Sequence, residues 1–166
     1  TEYYDTEAVL YGDNGLLTRD GIKKPSFYAF HFMNFLQSQL LGKTENAVLS
    51  TDGRGTYTIV CHNCKRFNYR YTMKEEKDIR IEDLEELYED TDVHLKFCIN
   101  HVENGDYIMR VFYVNSENGS VQDVWGDMDY LKNLSKGEVE YIRRGAMPKV
   151  EMRKIHVEDG VLRVDK

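Results

Sequence analysis

The sequence contains few residues of the kinds that mark specialised structures. Its 166 residues include two Pro, three Cys and one Trp. No apolar run approaches the roughly 20 residues that cross a bilayer. The low Pro content excludes a collagen-like or disordered composition. The length is that of about one domain, by the usual range of roughly 100–200 residues. These absences favour a globular chain without a membrane partner.

The three cysteines do not indicate a disulfide framework, because an odd number cannot pair completely. We therefore expect a reducing, cytoplasmic location. Cys61 and Cys64 have the C-x-x-C spacing of zinc and redox sites, but a zinc site needs about four ligands. A redox pair should open a helix, where the dipole lowers the thiol pKa. Here the pair closes the strand-like run 56–62, so we interpret both as strand cysteines and predict no metal.

Most of the net charge of −7 comes from one acidic segment, residues 75–92. This segment holds ten acids and two bases, so it carries −8 and the other residues sum to +1. We interpret it as a solvated helix or loop. The chain offers no basic face to neutralise phosphates, and we do not expect this region to bind nucleic acid.

Pro25–Leu41 is predicted to form the first helix. Pro25 suits the first helical position, where its missing N–H costs nothing, and Gly42 suits the position after the last turn. Apolar residues recur at helical spacing and aromatic residues cover much of the remaining surface. A helix that is apolar nearly all round is normally buried on several sides. We therefore expect it to need a large neighbour.

Beyond this helix, strand-like runs alternate with turns. Val93–Ile99 alternates apolar and polar residues, as in a half-buried strand. Asn104-Gly105 separates that run from 107–114, and Asn-Gly in this position is a strong hairpin signal. The other predicted hairpins have their turns at 52–55 and 158–160.

Two short helices are predicted among the strands. Residues 120–130 carry apolar side chains at helical spacing, and a capping box of Ser135 and Glu138 opens a helix over 137–144. Short strands with turn residues between them are typical of an antiparallel sandwich. The sequence thus predicts a mainly β chain, an antiparallel β-sandwich with short helical inserts.

The sequence carries no motif of a familiar catalytic or cofactor site, and no cofactor is predicted. The patterns G-x-S-x-G, G-x-G-x-x-G and H-E-x-x-H and a Walker loop are absent. We interpret the glycine-rich run 52–55 as a hairpin tip rather than a phosphate cradle. Tyr107, Tyr113 and Trp125 could stack on sugar rings. Their patterns favour burial in the core, and a sugar platform is the alternative.

One long segment, GLLTRDGIKKPSFYAFHFMN at Gly15–Asn34, resembles a known family. It is similar to the end of the catalytic barrel in family-39 glycoside hydrolases, the β-xylosidase and α-L-iduronidase group. There the pattern G-L-x(4)-G-I-x-K-P-x-[FY]-x-A-F leads into the last barrel helix. Looser similarities follow in the same order at 56–63, 104–107, 118–125, 135–144, 147–148 and 159–160.

The resemblance implies a division into two parts. Residues 1–41 would be the tail of a (β/α)₈ barrel, including a helix left over from it, and 42–166 would be the accessory β-sandwich that packs against the barrel. The lack of an initial Met also leads us to expect a piece of a longer protein. The partner implied is therefore that protein's own barrel.

The two catalytic glutamates that the resemblance leads us to look for are absent from this sequence. The acid/base Glu of an N-E-P motif and the nucleophile Glu of a T-E-W motif do not occur here; Glu2 is followed by Tyr3. We expect no enzyme activity from this region, whereas the intact parent resembles a retaining xylan 1,4-β-xylosidase. Glu2 lines up with an acidic segment that reaches the sugar pocket in the family. The resemblance therefore implies that Glu2 binds substrate in the intact parent.

Some bacterial chains join such a region to a helix-turn-helix regulator of the arabinose-regulator type. Residues 3–8 and the acidic insert 81–92 resemble those chains. This implies an alternative function, as the sugar-sensing part of a transcriptional regulator. A further alternative is an autonomous carbohydrate-binding module whose ligand is a xylo-oligosaccharide.

Overall fold

The computed structural model describes residue 10 and residues 15–75, 78, 83, 86–89 and 92–165. Within them the chain is mainly β, with antiparallel sheets and short helices, as predicted. In chain order, the elements are α1 (Pro25–Met33), β1 (Gln39–Lys43), β2 (Ala47–Thr51), β3 (Tyr57–Cys61), a 3₁₀ turn (Tyr69–Tyr71), β4 (Lys96–Asn100), β5 (Gly105–Tyr113), α2 (Val121–Gly126), α3 (Lys136–Gly145), β6 (Lys149–Val157) and β7 (Val161–Asp165).

Contacts divide the chain into two compact units, each made of two segments. Unit 1 contains Thr1–Phe35 and Gly105–His156, and unit 2 contains Leu36–Asn104 and Val157–Lys166. The expected division at residue 41 concerns a longer protein, and it stays a prediction.

Unit 1 has a small core built around α2 and α3. Ser135 and Glu138 form the predicted capping box at the start of α3. The Glu138 N–H donates to Ser135 Oγ at 3.3 Å, and the Ser135 N–H donates to Glu138 Oε2 at 2.6 Å. This prediction is confirmed because a cap depends only on residues three positions apart. The buried core side chains are Ile22, Val121, Ile142 and Ala146.

Gly145 allows the end of α3 to approach α2 closely. A Cβ built on Gly145 would lie 2.9 Å from both γ-carbons of Val124. Real Cβ atoms essentially never come so near a neighbour. The helix pair therefore depends on the missing side chain at this position.

Helix α1 is shorter than predicted, because it ends at Met33 rather than Leu41. The Gln37 N–H donates to Ser50 Oγ at 2.8 Å, so the backbone there is already bonded outside a helix. Residues 39–43 then pair with β2, and Gly42 lies at a register shift opposite Leu49. The predicted cap at Gly42 is therefore wrong: strand pairing outweighs the local helical pattern at this point.

Unit 2 contains an antiparallel sheet in the order β1-β2-β3. The predicted turn between β2 and β3 is confirmed. Asp52 Oδ1 accepts the N–H groups of Arg54 at 2.8 Å and Thr56 at 3.0 Å. These hydrogen bonds hold the pKa of Asp52 below its usual value.

Two predicted hairpins are wrong. Strand β4 pairs with β7, and β5 pairs with β6, so neither 101–104 nor 158–160 closes a hairpin. The two turns bond each other instead. The Val102 N–H donates to the Gly160 carbonyl at 3.0 Å, and the Gly160 N–H donates to Asn104 Oδ1 at 2.9 Å. The Asn104 side chain is thus engaged by a distant turn.

Candidate docking surface

The structure gives mixed outcomes for the residues singled out from the sequence. Glu2 lies outside the described residues, so its implied role stays a prediction. Cys61, Cys64 and Cys98 are exposed free thiols. Among the residues described, no group of three or more His, Cys, Asp or Glu side chains is placed to hold a metal. In that same part of the chain, no helix is long and apolar enough to cross a membrane.

Tyr107, Tyr113 and Trp125 are half-buried. The Tyr113 hydroxyl donates to Glu151 Oε2 at 3.0 Å, and Trp125 Nε1 donates to the Leu131 carbonyl at 2.9 Å. Such bonds are typical of aromatic residues packed with one polar end satisfied. These side chains therefore contribute to the packing of unit 1.

A shallow depression of about 300 Å³ in unit 1 includes two carboxylates. Glu140 forms ion pairs with Arg143 at 2.9 Å and Arg144 at 3.2 Å. The Asp20 carboxylate lies 3.8 Å from Arg19, and the Asp20 carbonyl accepts from Arg143 Nη2 at 2.8 Å. Charge pairs three and four residues apart are a common means of supporting a helix. Both carboxylates thus have structural partners.

Strand β5 presents one exposed face, since its residues alternate between exposed and half-buried. Asp106 and Ile108 lie on the exposed face. Asp106 Oδ1 lies 2.6 Å from His156 Nδ1 on β6. Because side chains on one face recur every second residue, Met152 and Val150 share the face of His156.

Helix α1 and the residues after it lie next to strand β5. The Phe112 ring on β5 lies 6.0 Å from that of Phe32 and 5.6 Å from that of Phe35, between centroids. Other side chains of α1, β5 and β6 are exposed, with Phe30 at 65 %, Ile108 at 66 % and Met152 at 69 %. We use the name apolar face for the exposed apolar side chains of α1, the adjoining residue 35, β5 and β6, which are Phe30, Met33, Phe35, Ile108, Phe112, Val150 and Met152.

The apolar face is a candidate interaction surface, because exposed apolar side chains recur on α1, β5 and β6. Scattered exposed apolar residues are normal, but a contiguous group with polar neighbours marks a binding surface. Arg110 and Lys154 lie on the same faces of β5 and β6, and the Asp106–His156 pair lies at one end. The sequence predicted that α1 needs a neighbour. The sequence analysis did not assign the exposed apolar residues of β5 and β6 to this face. Their signal in the sequence is the alternating placement of Ile108 and Phe112 on one strand and of Val150 and Met152 on the other.

Comparisons with known proteins bear on the fold. No protein-family profile matches the chain. A monomeric β-xylosidase from Caulobacter crescentus CB15 superposes with a TM-score of 0.72 at 19 % sequence identity, over 97 % of this chain and 32 % of that one. The chain has the fold of a β-xylosidase C-terminal region. The family resemblance seen in the sequence is thereby confirmed at the level of the fold.

The distant sequence relatives belong to another functional class. Uncharacterized HTH-type transcriptional regulators of Staphylococcus aureus strains MRSA252 and N315 are 24 % and 23 % identical over 137 residues, which is 82 % of this chain. The match covers 17 % of each regulator. The chain thus spans about a sixth of the length of the regulators and about a third of the length of the β-xylosidase.

Proposed function

We propose that this chain is a non-catalytic accessory region of a longer, sugar-related protein. In this proposal the apolar face packs against that protein's own (β/α)₈ barrel and stabilises it. Residues 1–41 complete the barrel, and 42–166 form the β-sandwich beside it. The observations that carry the proposal are the exposed apolar side chains of α1, β5 and β6 and the ring contacts of Phe112 with Phe32 and Phe35.

The energetics favour a covered apolar face. Fully burying a side chain of the size of Phe30, Ile108 or Met152 contributes roughly 1.5–3 kcal/mol. Net domain stabilities are only about 5–15 kcal/mol, so several such side chains matter. The occupant we propose is the remainder of the same protein. The likeness covers only a third of the β-xylosidase, and the other two thirds of that chain have no counterpart here.

The absence of catalysis in this region is part of the proposal. Retaining glycosidases place two carboxyl groups about 5–5.5 Å apart on either side of the bond to be cleaved. In the depression of unit 1, Glu140 is paired with two guanidinium groups and Asp20 lies beside Arg19. The sequence also lacks the N-E-P and T-E-W motifs that carry the family's carboxylates. These observations support a structural role.

Methionine oxidation tests the docking directly, because Met is a side chain that oxidises when solvent reaches it. In this region Met152 is 69 % exposed and Met73, in unit 2 and outside the apolar face, is 92 % exposed. We expect mild peroxide treatment of the full-length protein to oxidise Met73 rapidly, while Met152 and Met33 are protected. Mass spectrometry of peptides measures each rate. Equal rates at Met73 and Met152 would show that nothing covers the face.

A second candidate function is the sugar-sensing part of a transcriptional regulator. The distant relatives favour it, since all those compared above are HTH-type regulators. The sequence upstream of residue 1 separates the candidates. Intact N-E-P and T-E-W motifs there indicate a retaining β-xylosidase, and a helix-turn-helix module indicates a regulator. The packing role of the apolar face is the same in both.

A further inference from the structure

The tripeptide Glu-Asn-Gly occurs twice in the chain, at 103–105 and at 117–119. An Asn followed by Gly readily loses its side-chain amide, because glycine has no Cβ to hinder its own nitrogen when that nitrogen attacks the Asn side chain. A succinimide ring forms and ammonia leaves. The two copies have the same nearest neighbours, so an unfolded chain gives them similar reactivity. A difference between them in the folded protein is therefore due to structure.

The contact between the turns 101–104 and 158–160 activates the side chain of Asn104. The Gly160 N–H donates to Asn104 Oδ1 at 2.9 Å. Negative charge develops on this oxygen when the Gly105 nitrogen attacks Cγ, and a donor already aimed at the oxygen stabilises that transition state. The Val102 N–H donates to the Gly160 carbonyl at 3.0 Å and so holds the donor in place.

Asn104 also has the space and the water that the reaction needs. Its side chain is exposed. A Cβ built on Gly105 would meet nothing within 4 Å, so open space lies beside the attacking residue. Hydrolysis of the succinimide consumes one water molecule, and water reaches an exposed turn freely. It adds at either ring carbonyl and gives aspartate or isoaspartate.

The surroundings of Asn118 oppose the same reaction. Asn118 Nδ2 donates to Asn115 Oδ1 at 3.0 Å, and the Asn115 N–H donates to the Asn118 carbonyl at 2.8 Å. These bonds hold the leaving amide and the peptide group in a closed turn. Gly119 is buried, and a Cβ built there would lie 3.0 Å from Val114 Cγ2. The backbone therefore has little room to rotate toward the side chain.

We propose that Asn104 is a site of spontaneous deamidation in the folded protein and that Asn118 is protected. In the first step a bond forms between the Gly105 nitrogen and Asn104 Cγ, the bond from Cγ to Nδ2 breaks, and ammonia leaves with the Gly105 amide proton. In the second step one water molecule opens the succinimide. The reaction is independent of whatever covers the apolar face.

Deamidation at Asn104 changes the contact between the two turns. In isoaspartate the main chain runs through Cβ, so the carbonyl that accepted from Gly160 becomes part of the backbone. A new carboxylate appears close in sequence to Glu103 and Asp106, and like charges repel. We expect faster amide hydrogen exchange at Val102, because its partner Gly160 is less firmly held.

Peptide mass spectrometry of aged protein tests the proposal. The full-length protein is incubated in mildly alkaline buffer, once folded and once in guanidinium chloride, and is then digested with trypsin. Cleavage after Lys96, Arg110 and Lys132 places the two asparagines in the separate peptides 97–110 and 111–132. Deamidation raises the mass of a peptide by roughly one dalton. Fragmentation locates the modified residue and separates isoaspartate from aspartate.

We expect similar rates at the two sites in guanidinium chloride. In the folded protein Asn104 should react at least about tenfold faster than Asn118, and no more slowly than it does in guanidinium chloride. Asn104→Gln is the control variant, because the longer side chain closes the ring much more slowly. Ageing should speed Val102 exchange in the natural sequence and leave it unchanged in Asn104→Gln.

Three results would overturn the proposal. The first is a ratio of the two rates that is the same in the folded protein as in guanidinium chloride, or that favours Asn118. The second is a product at Asn104 that contains aspartate but no isoaspartate, because the reaction would then not pass through a succinimide. The third is an equal effect of ageing on Val102 exchange in Asn104→Gln.

Discussion

Phe35 contacts Phe112 with 5.6 Å between ring centroids, and this contact joins two distant parts of the sequence in unit 1. Phe35 follows α1 and is the last residue of the first segment of the unit, whereas Phe112 is near the end of β5. Phe32 on α1 also lies 6.0 Å from Phe112, so aromatic contacts connect the helix with the strand. The docking proposal uses exposed apolar side chains of both elements, among them Phe30 and Ile108.

The core of unit 1 should be far more sensitive to truncation than its surface. Ile142 is fully buried on α3, and the next residue toward the N-terminus, Tyr141, is exposed. We expect Ile142→Ala to lower the free energy of unfolding by roughly 2–5 kcal/mol, because it leaves a cavity. Tyr141→Ala should change it by about 0.5 kcal/mol or less. Urea denaturation measures both, and equal losses would contradict the assignment of the core.

Gly145→Ala should destabilise unit 1, although alanine is the better helix former. The helix preference favours Ala over Gly by roughly 0.5–1 kcal/mol. The clash of the new Cβ with Val124 opposes it, and overpacking typically costs about 1–3 kcal/mol. Thermal unfolding should therefore shift downward.

Two variants control this prediction. A Cβ at Gly137, near the start of α3, meets only Ser135 Oγ at 3.8 Å, so Gly137→Ala should not destabilise the protein. Val124→Ala removes both crowded γ-carbons. We expect Gly145→Ala to cost less in that background than in the natural sequence. A stabilising effect of Gly145→Ala alone would refute the close approach.

The capping box of α3 should make the stability of the protein depend on pH in the acidic range below about pH 4.3. Hydrogen bonds from Ser135 hold the pKa of Glu138 below its usual value. A carboxyl group with a lowered folded-state pKa stabilises the protein above its unfolded-state pKa, about 4.3. That contribution is lost as the pH falls through the lower folded-state value.

Ser135→Ala tests the cap in two ways. It should reduce the free energy of unfolding at neutral pH by about 0.5–2 kcal/mol, the usual effect of losing such a cap. It should also move the pKa of Glu138 back toward the usual value, as measured by carboxyl ¹³C shifts during an NMR titration. Ser135→Thr keeps the hydroxyl and should preserve both properties. An unaltered Glu138 titration in Ser135→Ala would rule out this coupling.

Sequence reasoning succeeded where the deciding contacts are local. The capping box of α3 and the Asp52 turn both depend on residues within four positions, and both were predicted. It failed where distant segments compete. The end of α1 was overestimated because a partner strand captures 39–43, and the Asn104 turn failed as a hairpin because Gly160 engages its side chain.

The same difference between local and distant contacts decides what could be predicted of the candidate docking surface. That α1 needs a neighbour could be predicted, because its composition is apolar along its whole length. The strands that extend its surface could not be assigned, since their role depends on β5 pairing with β6. The bridge between Phe67 and Tyr88 likewise joins residues that lie far apart in the sequence. Neither pairing leaves a periodic signal within one segment.

The pairing of β4 with β7 has a consequence for how the chain is synthesised. Phe97 pairs with Val164, so this two-stranded ladder joins residues from the middle and the end of the sequence. Contacts between such distant residues slow folding, because a long loop must close before they form. During translation, β4 must therefore leave the ribosome and wait with its hydrogen-bonding edge uncovered until β7 emerges.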